Sequence, residues 1–304
     1  MSQGVQNTQF DKIKVVDFPV FDSGAALERF ARAPFTYKQR PLMGKCSPGK
    51  DGGIDVVPSL DIGDGEAIQL CPGLCSSFAV WPPKVKKSDD LMKVCPDDML
   101  RPQFVFLALN WSSRIAPNDL HGESARSCLE RIPRWGTFHR LHPRDENYPY
   151  KPEEHERAFT KDNPFRGAYI TDFVKGYVDS KSEKVRDFLE SGEVSGCNDN
   201  PFTVFLEILR NELDSLDKAF ELGNVKKYLI VFGPKIYNDL QKCAKRIQGK
   251  SLDELFPDRT VLRTGCFINR PFGKTSQQCI EGLRTLYFPD GEVRTVEEFA
   301  ADFV

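Results

Sequence analysis

From Phe104 onward the chain alternates between short apolar runs and amphipathic segments, and this alternation restricts its fold more than any other feature. The apolar runs are rich in Val, Ile, Phe and Tyr, as buried strands are. The segments between them repeat apolar residues every three or four positions, as helices do. Strands that alternate with helices favour a mainly parallel sheet covered by helices. The sequence therefore predicts an α/β fold, specifically a three-layer α/β/α arrangement with a mainly parallel central sheet.

The individual elements follow from the same periodicities. The predicted strands are FVFLAL from Phe104, GAYITDFV from Gly167, KYLIVFG from Lys227 and RTVLRTG from Arg259. The predicted helices are PEEHERAFT, SEKVRDFLES, NPFTVFLEILRNELDSLDKAFEL, PKIYNDLQKCAKRI and TSQQCIEGLRTLYF.

Residues 1–100 have a different character. They are rich in Gly and Pro (SPGKDGG, CPGLC, WPPK) and contain only short β-like runs such as IDVV and SFAVW. Clusters of this kind indicate turns and loops. We therefore expect an irregular, partly β N-terminal extension over residues 1–100 and the α/β domain over residues 101–304.

Composition restricts the compartment and the partners. The N-terminus lacks the apolar run of a signal peptide, and no apolar stretch approaches the ~20 residues that cross a bilayer. Nine cysteines without a secretory signal indicate a reducing compartment, so we expect a cytoplasmic protein with no membrane partner. Because 42 Lys and Arg face 44 Asp and Glu, any attraction to nucleic acid must come from a local patch. Basic side chains concentrate between residues 126 and 144 and between residues 242 and 274.

Polar residues at the ends of the predicted strands are the first candidates for a functional site. The first strand ends at Asn110, the second carries Asp172, and the last runs into Asn269 and Arg270. Ligands of open α/β sheets bind at the carboxyl ends of the strands, so we expect these side chains to converge. An amide such as that of Asn110 can orient water or substrate, because it both donates and accepts. An Asn that caps the following loop is the alternative.

The order of these motifs resembles the uracil-DNA glycosylase superfamily over residues 100–290. Asn110 falls where that family has the polar residue that positions the hydrolytic water. The stretch Ile170 to Lys175 resembles its Ile-Thr-Asn-x-Val-Lys strand, with Asp172 in place of the Asn that reads the base. Tyr228 to Gly233 resembles its apolar strand that ends in Gly before a helix. Asn269 to Pro271 lies at the position of its final loop, which contacts the base and the DNA backbone.

The resemblance implies a hydrolase that extrudes a base from DNA, cleaves its N-glycosidic bond and leaves an abasic site. The implied catalytic residues are Asn110, Asp172 and Asn269. The implied substrate-binding residues are Trp111, Ser112, Phe138, His139, Thr171 and Lys175, and the implied DNA-binding residues are Arg140, Arg270 and Lys274. For each aromatic residue, packing in the core is the alternative. His139 is equally compatible with a surface contact to phosphate.

Asp172 bears on the identity of the base. An ionised carboxylate only accepts hydrogen bonds, and O4 of uracil is also an acceptor. No hydrogen bond can form between them, and this mismatch costs ~1–3 kcal/mol. It suits an exocyclic amine such as that of cytosine. We therefore hypothesise an atypical or modified base, cytosine-derived and of the kind that phage DNA carries. The alternative is an Asp that caps a loop or is protonated in a dry pocket.

Four cysteines before the α/β domain allow a second interpretation of the N-terminal region. Some members of the superfamily hold an iron–sulfur cluster, and Cys46, Cys71, Cys75 and Cys95 could supply four thiolates. The other five cysteines show that this chain also uses Cys as a small apolar residue. We therefore expect no metal and no organic cofactor.

Three functions follow from these observations. The first is a monomeric DNA glycosylase whose partner is DNA. The second is a catalytically inactive module of the same fold that binds a nucleotide, a modified base or a protein. The third is an unrelated α/β hydrolase that acts on small nucleosides.

Overall fold

The fold is built on a sheet whose four central strands run parallel. The computed structural model describes residues 23–48, 54–60, 67–79, 100–110, 165–177, 182–265 and 281–302. Its helices are α1 (Ser23–Arg32), α2 (Pro72–Cys75), α3 (Ser182–Ser191), α4 (Pro201–Ala219), α5 (Gly233–Cys243), α6 (Leu252–Leu255) and α7 (Val296–Ala301), and α5 continues into a π-helical turn (Ala244–Gln248). Its strands are β1 (Thr36–Tyr37), β2 (Arg40–Pro41), β3 (Met43–Pro48), β4 (Ile54–Ser59), β5 (Ala67–Gln69), β6 (Ser77–Phe78), β7 (Arg101–Asn110), β8 (Ala168–Val174), β9 (Tyr228–Val231), β10 (Thr260–Thr264), β11 (Thr285–Tyr287) and β12 (Val293–Thr295).

Seven of these strands form the main sheet, in the order β12-β11-β10-β9-β7-β8-β6. The pairs β8–β7, β7–β9 and β9–β10 are parallel. Antiparallel strands extend this centre on both sides, with β11 and β12 beyond β10 and β6 beyond β8. The predicted α/β class with a largely parallel sheet is therefore confirmed.

The two faces of the sheet carry different helices. Successive residues of a strand point to opposite faces, so Thr171 and Phe173 lie on one face of β8 and Asp172 on the other. Phe173 stacks on Phe202 of α4, with ring centroids 5.1 Å apart, and we call this side the α4 face. On the other side, which we call the α7 face, Phe299 of α7 contacts Phe104, Phe165 and Tyr228.

Helix α4 is the longest helix among the described residues, and its sequence specifies where it begins. The side chain of Asn200 accepts a hydrogen bond from the Phe202 amide at 2.8 Å, and Pro201 occupies the first turn, where a missing N–H costs nothing. Apolar residues then recur every three or four positions and are buried. Glu212 lies within this buried stripe as its one acidic member.

The N-terminal region shares the core of the α/β domain. Strands β3, β4 and β5 form a separate antiparallel sheet, whereas β6 pairs with β8 in the main sheet. Phe30 of α1 and Phe78 of β6 both contact the Tyr169 ring, at 5.4 and 5.2 Å between centroids. Residues on both sides of the predicted boundary at residue 100 therefore belong to one hydrophobic core.

The structure tests most of the predicted elements. All four predicted strands form, as β7 to β10, and three predicted helices form, as α3, α4 and α5. The prediction of a continuous helix through TSQQCIEGLRTLYF is wrong at its end, because Thr285–Tyr287 forms β11, which pairs with both β10 and β12. Backbone pairing of β11 with a strand on each side outweighs the helical pattern of the local sequence. The predicted helix PEEHERAFT lies outside the described residues. Within the described part of the chain, no helix is long and apolar enough to span a bilayer.

Candidate functional site at the strand ends

The carboxyl end of β7 lies where the order of the parallel strands reverses. The chain passes from β7 to β8 on one side and later places β9 on the other side of β7. In open α/β sheets the two connections diverge at such a point and leave a crevice in which ligands bind. Asn110 is the last residue of β7, so the structure places it at the point where the strand order reverses.

The Asn110 side chain is half-buried, and its amide is oriented by the backbone. Its Nδ2 donates a hydrogen bond to the carbonyl of Tyr177, three residues beyond the end of β8, at 3.2 Å. Since the NH₂ group is engaged with a carbonyl, the Asn110 amide is fixed in place and joins the ends of two neighbouring strands.

Asp172 lies on the same face of the sheet as Asn110 and on the adjacent strand. It is in register with Ala108, two residues before Asn110, and Asn110 is in register with Val174, two residues after Asp172. Residues in parallel register point to the same face. The amide and the carboxyl group are therefore diagonal neighbours on the α7 face, at the carboxyl ends of their strands.

The Asp172 carboxyl group is buried without full hydrogen bonding. The residue is only 2% exposed, and its Oδ2 has no hydrogen-bond partner among the residues that the structure describes. Burial raises the pKa of Asp172 to about 7; Lys175 opposes this increase and Glu212 adds to it. A buried carboxyl group that titrates near neutral pH can give or take a proton, which is the property of a general acid or base.

The ends of β9 and β10 complete this edge of the sheet. Gly233 has a φ of +78° at the start of α5, a conformation that glycine adopts without strain. Its amide donates to the Thr264 hydroxyl of β10 at 2.9 Å. This bond ties β9 to β10 and fixes where α5 begins.

Two predicted substrate-binding residues, Thr171 and Lys175, are directed to the α4 face instead. The Lys175 ammonium forms an ion pair with Glu212 at 2.7 Å, donates to the Thr171 hydroxyl and lies 4.9 Å from the centre of the Phe35 ring. Both side chains of the ion pair are fully buried. The structure therefore does not bring Thr171 and Lys175 together with Asn110 and Asp172.

Glu212 is the centre of this second group, which we call the Glu212 network. Its Oε1 accepts hydrogen bonds from Tyr169 at 2.6 Å, Thr171 at 2.7 Å and Ser76 at 3.2 Å. Burial and the neighbouring Glu212 charge raise the pKa of Tyr169 well above its ordinary value. Glu212 is not among the site residues predicted from the sequence, although a lone carboxylate in the apolar stripe of α4 is a visible signal.

Two cysteines, Cys71 and Cys75, lie near this network. Cys71 precedes α2 and Cys75 is its last residue. Burial strongly raises the pKa of the Cys75 thiol, which disfavours the thiolate that a metal would need. For Cys46 the structure describes the backbone, on β3, and Cys95 lies outside the described residues. Across the described ranges, no group of three or more His, Cys, Asp or Glu side chains could hold a metal ion.

The remaining predicted site residues lie outside the described residues, so their roles stay predictions. These residues are Trp111, Ser112, Phe138, His139, Arg140, Asn269, Arg270 and Lys274. Of the predicted catalytic residues, the structure brings together Asn110 and Asp172.

Comparison with protein-family models, with curated proteins and with solved structures finds no match for this chain. The assignment of a function therefore depends on the geometry of the strand ends.

Proposed function

We propose that this chain is a DNA glycosylase, a cytoplasmic monomer without an organic cofactor that removes an atypical base from DNA. The observation that carries the proposal is the placement of Asn110 and Asp172 on one face of the sheet, at the point where the strand order reverses. We further propose that the domain has the three-layer α/β/α arrangement. Packing of α4 on one face and α7 on the other supports it.

Hydrolysis of an N-glycosidic bond needs an oriented water and a group that accepts or donates a proton. The oxygen of water bonds to the sugar carbon as the base departs, and the released proton goes to the base or to a nearby acceptor. Asn110 would orient the water, because its amide is held at the end of β7. Asp172 would contact the base, because its carboxyl group lies on the same face and is buried away from bulk water.

The protonation of Asp172 determines which bases it would accept. An ionised carboxylate accepts from an exocyclic amine, as in cytosine, whereas a protonated one both donates and accepts, as an amide does for uracil. Since the pKa of Asp172 is raised to about 7, both forms exist near neutral pH. We therefore expect cytosine-derived bases to be favoured above pH 7 and uracil-type bases to gain below it.

The test is an abasic-site assay with duplexes that contain uracil, cytosine or modified cytosines, at pH 6 and pH 8. Wild-type protein should release a cytosine-derived base, and Asn110→Ala should abolish release while DNA binding persists. Asn238→Ala removes an exposed amide from α5 and is the matched control, which should retain full release. Release of uracil alone at both pH values would reject the proposed substrate. Unchanged release by Asn110→Ala would reject the mechanism.

The second candidate is an inactive module of the same fold that binds a nucleotide, a modified base or a protein. The observation that favours it is that the Asn110 amide is already bonded to the Tyr177 carbonyl while Asp172 is almost inaccessible. Under this reading no abasic sites form with any substrate, and Asn110→Ala changes binding only slightly.

A further inference from the structure

The turn that follows β8 is anchored at three consecutive residues. The Lys175 ammonium forms its buried ion pair with Glu212 of α4 at 2.7 Å. Gly176 has a φ of +72°, and a Cβ there would lie 2.7 Å from the side chain of Leu70, directly after β5, so the chain is closely packed at this point. Tyr177 comes next, and its half-buried ring packs on α3. Contacts from α3, α4 and the N-terminal region therefore hold the backbone of this turn.

The Tyr177 ring lies face to face with the ring of Phe188 on α3. The two centroids are 4.4 Å apart and the ring planes differ by 5°. Phe188 also contacts Phe205 of α4, at 6.1 Å between centroids, and its ring lies against Gly192, where an added Cβ would overlap with it. Close packing of this kind restricts the rotation of Phe188, and a stacked ring restricts its partner in turn. The position of Tyr177 therefore depends on Phe188.

The backbone of Tyr177 determines which end of the Asn110 amide faces it. The Asn110 Nδ2 donates to the Tyr177 carbonyl at 3.2 Å. A carbonyl oxygen only accepts hydrogen bonds, so a flipped amide would place the Asn110 Oδ1 against a second acceptor and lose this bond. The hydrogen bond therefore directs Oδ1 away from Tyr177. An attacking water can donate a hydrogen bond to such an oxygen and keep a lone pair for the sugar carbon.

We propose that Tyr177 and Phe188 are positioning residues for Asn110. Their stacked rings hold the Tyr177 carbonyl in place, and this carbonyl fixes the orientation in which the Asn110 amide presents Oδ1 to the attacking water. Phe188 packs on the α4 face and Asn110 lies on the α7 face, so the effect passes around the end of β8 through the Tyr177 backbone. This inference rests on the proposed function for the role of the water and adds two positioning residues to it.

The test removes the stack without removing the hydrogen-bond acceptor, because every substitution of Tyr177 keeps its backbone carbonyl. Tyr177→Leu and Phe188→Leu each replace a ring by an apolar side chain that cannot stack. Tyr177→Phe keeps the ring and is the conservative variant. Phe288→Leu is the matched control, because it removes a half-buried ring that packs on Phe299 of α7 instead. Urea unfolding of each variant confirms that it is folded.

The first measurement is the NMR signal of the Asn110 NH₂ group in protein that carries isotope-labelled asparagine. The signal is assigned by its absence in Asn110→Ala. Tyr177→Leu and Phe188→Leu should shift this signal. They should also make exchange of the NH₂ protons with solvent about fivefold faster, the factor expected for the loss of one neutral hydrogen bond. Tyr177→Phe and Phe288→Leu should leave the signal and the exchange rate as they are in wild type.

The second measurement is the rate of base release in the abasic-site assay, with any substrate on which the wild-type protein is active. Tyr177→Leu and Phe188→Leu should lower kcat about 10- to 100-fold, because a misplaced water slows the reaction. They should leave KM nearly unchanged, since neither ring contacts the substrate under this proposal. Tyr177→Phe and Phe288→Leu should keep the wild-type kcat.

The outcomes separate the positioning role from the proposed function. If Phe188→Leu keeps the wild-type Asn110 signal and exchange rate, or if Phe288→Leu changes them as much, the role is rejected even where base release is observed. If the signal changes and kcat on an active substrate does not, the role is rejected as well. If the signal changes and no substrate yields abasic sites, the stack does position the Asn110 amide and the glycosylase proposal fails.

Discussion

The Glu212 network makes an asymmetric prediction about stability. In Glu212→Leu the partners that remain for the buried Lys175 ammonium among the described residues are the Thr171 hydroxyl and the Phe35 ring. Removal of one member of a buried ion pair typically costs about 3–5 kcal/mol, because the other charge stays buried. We expect Glu212→Leu to fall in this range.

The reverse change should cost less. In Lys175→Met the Glu212 carboxylate still accepts hydrogen bonds from Tyr169, Thr171 and Ser76. Hydrogen bonds to a charged group stabilise it substantially, so we expect a loss of about 1–3 kcal/mol. The double variant leaves no buried charge in the network. It should be more stable than Glu212→Leu alone, and a double-mutant cycle gives the coupling energy.

Urea unfolding at pH 7, with linear extrapolation to water, measures these free energies of unfolding. The exposed pair Glu183–Lys235 supplies the control, and Glu183→Gln should leave stability nearly unchanged because that ion pair is solvated. The reasoning is refuted if Lys175→Met costs as much as Glu212→Leu. It is also refuted if the double variant loses the sum of the two single losses.

Two further predictions concern β8, which carries Asp172, and the turn that follows it. Because the folded pKa of Asp172 is raised to about 7 from an ordinary value near 4, its favourable contribution is complete below pH 4 and is lost as pH rises through 7. Asp172→Asn should therefore gain stability relative to wild type between pH 5 and pH 8, by about 3 kcal/mol in urea unfolding, and an equal difference at both pH values would contradict this. Gly176→Ala should cost about 2–3 kcal/mol, because φ is +72° and the new Cβ would lie 2.7 Å from the Leu70 side chain. Gly249→Ala, at φ +68° in open space, should cost only about 1 kcal/mol, and equal thermal shifts for the two variants would exclude the steric contribution.

Much of the parallel sheet could be predicted, because its strands are short apolar runs with polar ends. Tyr228–Val231 and Ala168–Val174 are buried along their whole length, so their sequences lack the polar alternation of a surface strand. The same boundaries placed Asn110 and Asp172 at the carboxyl edge. That Asn110 and Asp172 share a face of the sheet depends on the register between β7 and β8, and the sequence of either strand alone does not encode that register.

Other features depended on distant partners and were missed for that reason. The role of Glu212 is defined by hydroxyl groups on β8 and beside α2, and helical periodicity alone does not distinguish a buried carboxylate from a solvated one. Lys175 was assigned to the substrate by motif, whereas its buried partner comes from α4. Thr285–Tyr287 became a strand because two neighbouring strands offered backbone partners.

The hydrogen bond between Ser76 and Glu212 joins residues 136 positions apart and bears on how the chain is synthesised. A ribosome adds about 5–20 residues per second. Ser76 therefore emerges roughly 7–27 seconds before the carboxylate that it contacts in the finished protein. Until β8 has followed, β6 has no edge to join, and the early part of the chain must remain soluble without its final neighbours. The Glu212 network can therefore form only after α4 has been synthesised.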